Sequence, residues 1–223
     1  EYHRVGTSTE LETHLFDATT DYGVPTLYAV QTSQVDPELA QVVAATCDID
    51  PQRALAKIYR ELASLRIALR SHARGPRAQE IKGQDLTVVG GARCDADRAM
   101  RHVFDCLREG ERPVHALDES GTLTASRPGA DGVGGSAGPD PLEQVVANLK
   151  RAGAEAIVVD ITTDEARQVG MHVIKALIPE AMPLSFSHHA RYLATPRLYQ
   201  APRAMGLTVH DEAGINPVRQ PFA

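Results

Sequence analysis

Ser187-His188-His189-Ala190-Arg191 gathers two imidazoles and a guanidinium in one short stretch. An arginine fixed at the end of a strand can grip phosphate or carboxylate oxygens with its planar fork. His188 and His189 are acid–base candidates by chemistry alone. The alternative is an exposed loop in which Arg191 makes an ordinary surface ion pair. A second constellation is Lys57 and Glu61, spaced one helical turn apart. It reads either as a surface ion pair or as a Mg²⁺-ligating carboxylate with a cation beside it. His102 and Cys106 share the same spacing, but no third or fourth ligand lies near them in sequence, so they read as packing. Gly90-Gly91-Ala92 lacks the Gly-Lys-Ser/Thr ending of a phosphate loop.

The elements that must position these groups follow from patterning. The run His172 to Ile178 reads as a strand stopped by Pro179, and it delivers the His-His-x-Arg stretch from a buried place. Ala156 to Ile161 reads as a second buried strand, with a short helix starting at Thr162 or Thr163 between the two. Leu142 to Arg151 predicts a helix stopped by Gly153. Near the start, strands at His14 to Asp21 and Val24 to Gln31 form an antiparallel hairpin turned at Tyr22-Gly23, and Gln41 to Cys47 is a third strand. Asp50 caps and Pro51 opens a helix running to about Arg70. Its apolar stripe is Ala54, Leu55, Ile58, Leu62, Leu65 and Leu69. Residues 71–84 read as a mobile loop, 85–89 as a short strand, 95–109 as a helix and 196–203 as irregular chain. Residues 116–141, rich in Gly, Ser, Ala, Asp and Pro, read as a flexible insertion.

Composition narrows the function classes. The chain has 223 residues, enough for a real core, with 43% hydrophobic content. A formal charge of −6, few aromatics and no Trp disfavour a nucleic-acid partner. No apolar run reaches membrane-spanning length and no signal peptide opens the chain, so no membrane partner is expected. Cys47, Cys94 and Cys106 are odd in number and hold no CxxC pair, which fits a reducing, cytoplasmic setting. The chain does not begin with Met and enters strand-like sequence almost at once, which points to a processed product or part of something longer.

Several segments, in order, resemble the YcaO-domain family. Asp17-Ala18-Thr19-Thr20-Asp21-Tyr22-Gly23-Val24-Pro25 looks like its D-x-T-x-D-x-G-x-P segment. Ala54 to Leu62 is similar to its A-L-x-[RK]-A-x-x-E helix. Asp160-Ile161-Thr162-Thr163-Asp164, followed by Gly170 to Lys175 and Ile178-Pro179, resembles a second D-x-T-x-D…G-x-x-V-x-[RK]-x-x-x-P segment. The Asn216-Pro217 and Pro221-Phe222-Ala223 of the tail are similar to the proline-rich end of the azole-forming cyclodehydratases.

The resemblance implies an α+β fold with mixed or antiparallel sheets and packed helices. It also implies ATP and Mg²⁺ as cofactors. The expected reaction is cyclodehydration of Cys, Ser or Thr in a ribosomal precursor peptide to thiazoline or oxazoline, with phosphorylation of the backbone amide oxygen. Alternatives are a non-catalytic scaffold that binds a peptide or partner enzyme, and thioamide or amidine formation by the same ATP activation. Carried over by position, Glu61 is the Mg²⁺–ATP carboxylate, Lys57 a nucleotide-side residue and Arg191 a phosphate contact, with Arg197 as the rival. Ala223, through its free carboxylate, is a proton-handling candidate. The implied partners are the precursor peptide and a leader-peptide-binding protein, and a homodimer is a further expectation. The family's S-x-x-E-x-x-E-R motif has no match here, since Glu10-Leu11-Glu12 has the wrong spacing, and Ser64 stands where many members carry Gln. Residues 1–223 are therefore expected to be the C-terminal portion of one YcaO-like domain. Its ATP site would be shared with a missing N-terminal segment.

Overall fold

The computed structural model describes residues 10–74, 88–108, 140–185 and 187–218, with side chains omitted at 72–74 and 88–89. It is an α+β fold built on a three-stranded antiparallel sheet, β1 (Leu11–Asp17), β2 (Thr26–Ser33) and β3 (Gln41–Cys47), in the order β1-β2-β3. Period-two alternation gives the sheet two apolar faces, and each has its own cover. Helix α1 (Pro51–Arg74) lays Ala54, Ile58, Leu62 and Leu69 against Leu27, Ala29, Val42 and Ala44. On the other face, Phe104 of a 3-10 helix (Arg98–Phe104) packs on Val30 and Val43, with Phe16, Tyr28, Val103 and Leu107 around it. Short helices α2 (Val88–Ala96) and α3 (Asp105–Arg108) flank that 3-10 segment.

The cap expected at Asp50 is present. Its Oδ1 accepts from the Gln52 N–H at 2.9 Å, and Pro51 opens α1. The helix continues to Arg74 rather than stopping near Arg70, so 71–74 belong to it; the remainder of the expected loop, 75–84, lies outside the described residues. Val88 and Val89 begin a helix instead of ending a strand. The helix expected over 95–109 is broken by Asp97, whose carboxylate caps the 3-10 segment through the Ala99 N–H. Residues 116–139 of the expected insertion lie outside the described residues, and Pro141 already opens a helix capped by Asp140.

The second half runs α4 (Pro141–Arg151), β4 (Ile157–Asp160), α5 (Asp164–Gln168), β5 (Ile174–Leu177), a 3-10 turn (His188–Ala190), α6 (Arg197–Ala204) and a final 3-10 turn (Glu212–Gly214). β4 and β5 pair antiparallel, Asp160 opposite Ile174. Both had read as buried; all their residues are exposed, because no described element covers the two-stranded sheet. Residues 197–204 form a helix where irregular chain was expected. No described helix is long and apolar enough to cross a membrane.

Candidate nucleotide and metal site

Glu61 sits on the outer side of α1, one turn beyond Lys57, while Ile58 and Leu62 beside it are buried in the core. The helix therefore fixes where the carboxylate points. The surface ion pair that would have made it ordinary does not form. Lys57 Nζ turns the other way, donating to the Cys47 carbonyl at 2.8 Å and lying 3.5 Å from Asp48 Oδ2. The Glu61 carboxylate makes no hydrogen bond or ion pair with any described residue. Asp48 in turn accepts from the Asp50 N–H at 3.1 Å; that bond, reinforced by Lys57, lowers its carboxyl pKa.

The other candidates fall in the second half. Arg191 follows the 3-10 turn and donates from Nη1 to the Asn216 carbonyl at 2.8 Å, tying the tail back. His188 and His189 lie edge-on, ring centroids 5.5 Å apart. Arg197 is committed elsewhere: both terminal nitrogens donate to Asp21, one at 3.2 Å, and its plane lies 3.7 Å over the Tyr22 ring. Ala223 lies outside the described residues. The structure thus brings Arg197 to the hairpin tip and Arg191 to the tail, and it leaves Glu61 in contact with neither arginine. His102 lies 3.0 Å from the Ala99 carbonyl, and both it and Cys106 are exposed, so the packing role expected of them is not what the structure gives them.

Residues missed in the sequence reading now stand out. Asp21 and Tyr22 end the first hairpin and receive Arg197. Burial pushes the Tyr22 hydroxyl pKa up, with Arg197 acting against it. Asn148 of α4 donates to the Gly23 carbonyl at 3.3 Å and accepts from Arg151 at 3.0 Å. Arg66 of α1 crosses to the sheet, donating to Gln31 Oε1 at 2.7 Å and to the Leu39 carbonyl at 3.0 Å; burial depresses its pKa to about 10. The only advance signal for these was the polar D-x-T-x-D-x-G segment itself.

No group of three or more His, Cys, Asp or Glu side chains that could hold a metal ion occurs among the described residues. Among the described residues Glu61 could therefore offer a metal ion only a single carboxylate. That fits Mg²⁺ arriving with a nucleotide, since the ion takes one or two protein carboxylates and fills its shell with phosphate oxygens and water. It does not fit a metal caged by protein alone.

Sequence and fold together assign this α+β chain to a class. The family model described as YcaO cyclodehydratase, ATP- and Mg²⁺-binding, matches residues 2–182, and the chain belongs to the YcaO family. Its fold is similar to a heterocyclase solved in complex with substrate and cofactor, with a TM-score of 0.67 at 18% identity over 98% of this chain. It is also similar to the heterocyclase TruD, with a TM-score of 0.57 at 17% identity over 98% of this chain. The chain spans 26% of the length of each of these proteins. No curated protein matches it in sequence.

Proposed function

We propose that this chain is the C-terminal portion of one YcaO-like domain and carries one wall of the ATP site of a peptide cyclodehydratase. The observation that carries the reading is Glu61, an exposed carboxylate on a rigid helix, without a partner among the described residues, in a family described as ATP- and Mg²⁺-binding. The overall change would close a Cys, Ser or Thr side chain of a precursor peptide onto the preceding amide carbonyl. That oxygen leaves as phosphate and a thiazoline or oxazoline remains. Bound Mg²⁺–ATP supplies the phosphoryl group that makes the oxygen able to leave.

In this reading Glu61 holds the ion and so places the phosphates. Lys57, held by Cys47 and Asp48, puts a fixed positive charge one turn away. Arg191 suits the phosphate side better than Arg197, whose guanidinium is saturated by Asp21 and Tyr22. His188, His189 and the Ala223 carboxylate are the groups available to carry protons. An N-terminal segment of the domain and a leader-peptide-binding protein complete the assembly. The test is phosphate release from Mg²⁺–ATP by the complete assembly with a Cys-containing precursor, read beside the mass of the peptide. Loss of water supports cyclodehydration; exchange of oxygen for sulfur would assign a thioamide-forming member instead. Release of no phosphate with any such precursor ends the enzyme reading.

The second reading is a non-catalytic scaffold that binds a peptide or partner enzyme. It is favoured by the bare apolar sheet of β4 and β5. Removing the last residues, 219–223, tests the tail separately: unchanged cyclisation by the truncated protein would reduce the tail to packing.

A further inference from the structure

Helix α1 carries six Arg and Lys residues and one carboxylate, in a chain whose acids outnumber its bases. Most of those cations are accounted for. Arg53 reaches back to Asp50 at 3.5 Å, and Arg70 donates to Asp36 at 2.6 Å. Lys57 is held by the Cys47 carbonyl and Asp48. Arg66 crosses to the sheet and gives its guanidinium to Gln31 and the Leu39 carbonyl. Arg74 lies outside the described side chains.

Arg60 is the exception. It is exposed, and its guanidinium meets no carboxylate or carbonyl among the described residues. The helix itself offers it none. At the ion-pair spacings of three and four residues stand Ala56, Lys57, Ala63 and Ser64. Its neighbour in sequence is Glu61, also exposed and also without a described partner. Successive helical residues point about 100° apart, so these two do not neutralise each other. With Ile58 and Leu62 fixed in the core, Arg60 leaves the helix almost opposite the core and Glu61 from its flank. Lys57 and Ser64 lie between them.

One rigid face thus sets a carboxylate and a guanidinium side by side, neither spent on the other. A metal–phosphate ligand carries both signs itself. The ion takes carboxylate oxygen, and the phosphate oxygens take N–H donors. We infer that Arg60 grips phosphate oxygens of the same nucleotide whose Mg²⁺ Glu61 holds. This rests on the reading of Glu61 given above and adds a residue to it. Arg60 keeps its whole planar fork available, whereas Arg197 is engaged by Asp21 and Tyr22 and Arg191 spends Nη1 on Asn216. Lys57, fixed by its two oxygens, supplies only a point charge beside it.

Calorimetry with Mg²⁺–ADP and the complete assembly tests this without depending on turnover. Arg60→Ala should weaken binding by about tenfold or more, the loss of a charge-assisted contact. Its melting temperature should not move, as a structural role would require. Arg60→Lys should restore only part of the affinity, because an ammonium keeps the charge and loses the fork. Arg53→Ala removes the same charge from the same face about two turns earlier and should leave the affinity unaltered. Combined with Glu61→Gln, the loss caused by Arg60→Ala should shrink, since both side chains act on one ligand. Unchanged affinity in Arg60→Ala, while Glu61→Gln weakens binding, overturns the inference and leaves the reading of Glu61 standing. Equal weakening by Arg53→Ala overturns it too, since the helix's general field would then explain the effect. Unchanged affinity in Glu61→Gln removes the Mg²⁺–nucleotide reading and this inference with it.

Discussion

Arg197 of α6 clamps Asp21 of the first hairpin across 176 residues of sequence, using both ends of its guanidinium fork. The Tyr22 ring closes the third side at 3.7 Å. The two charged side chains are only 16% and 18% exposed, so neither is well hydrated on its own. Asp21→Asn should therefore destabilise the fold by roughly 2–4 kcal/mol, between the values for exposed and buried pairs. Arg197→Lys should recover little, because an ammonium cannot make the fork or the stacked contact. Chemical denaturation of the two variants checks this; a midpoint unchanged in Asp21→Asn would make the clamp a surface ornament.

Gly23 sits at φ +65°, where an L side chain is strained, and an added Cβ would meet Asn148 Nδ2 at 3.2 Å. The same Asn148 nitrogen donates to the Gly23 carbonyl. Gly23→Ala should thus cost about 1–2 kcal/mol from backbone strain alone and weaken the contact to α4 as well. Hydrogen exchange should rise at the α4 amides but not in the core of α1. Equal loosening of both would mean the turn supports the whole fold rather than this contact.

The second hairpin predicts an acid-sensitive tip. The Thr162 hydroxyl and N–H, with Arg167, hold the Asp160 pKa down to about 2. A depressed carboxylate lends its stabilisation fully above the ordinary aspartate pKa of about 4 and loses it as pH falls toward the native value. Between those limits the tip should loosen while the first sheet holds. An NMR titration following the Thr162 and Val173 amides reads this directly. Asp160→Asn should abolish the transition, and a transition that survives it belongs to another group.

The first sheet and α1 were legible because each carries its own cover within the chain. Ala54, Ile58, Leu62 and Leu69 recur at helical spacing, and their partners Leu27, Ala29, Val42 and Ala44 alternate at strand spacing. Consistent periods on both sides of an interface leave one solution. The continuous apolar run of β4 reads as buried on both faces, which is what such a run normally signals. That inference needs a cover the sequence pattern cannot name, and none is present among the described residues. Helix α6 escaped notice because Pro202 argues against a helix; it forms all the same, with Pro196 at its N-terminal boundary, where proline suits a helix start, and Pro202 inside it. At the candidate site, the Lys57–Glu61 spacing was readable. The turn of Lys57 toward Cys47 was not, because it depends on where β3 ends relative to α1.

That turn of Lys57 gives Glu61 its sharpest prediction. An exposed carboxylate without a described partner contributes little to folding, so Glu61→Gln should change stability by no more than about 0.5 kcal/mol. If Glu61 holds Mg²⁺–ATP, the same variant should lose ATP turnover while folding normally. Lys57→Met should behave differently, since its ammonium bonds to Cys47 and Asp48 and its loss frees the start of α1. Some stability should go with it, by about 0.5–1.5 kcal/mol. Thermal melts and phosphate release, measured on both variants in the complete assembly, give a two-by-two outcome. Stability kept and turnover lost in Glu61→Gln, against stability lowered in Lys57→Met, assigns the ion to the glutamate and the scaffolding to the lysine. Full turnover in Glu61→Gln would return the carboxylate to the solvent-facing side of an ordinary helix.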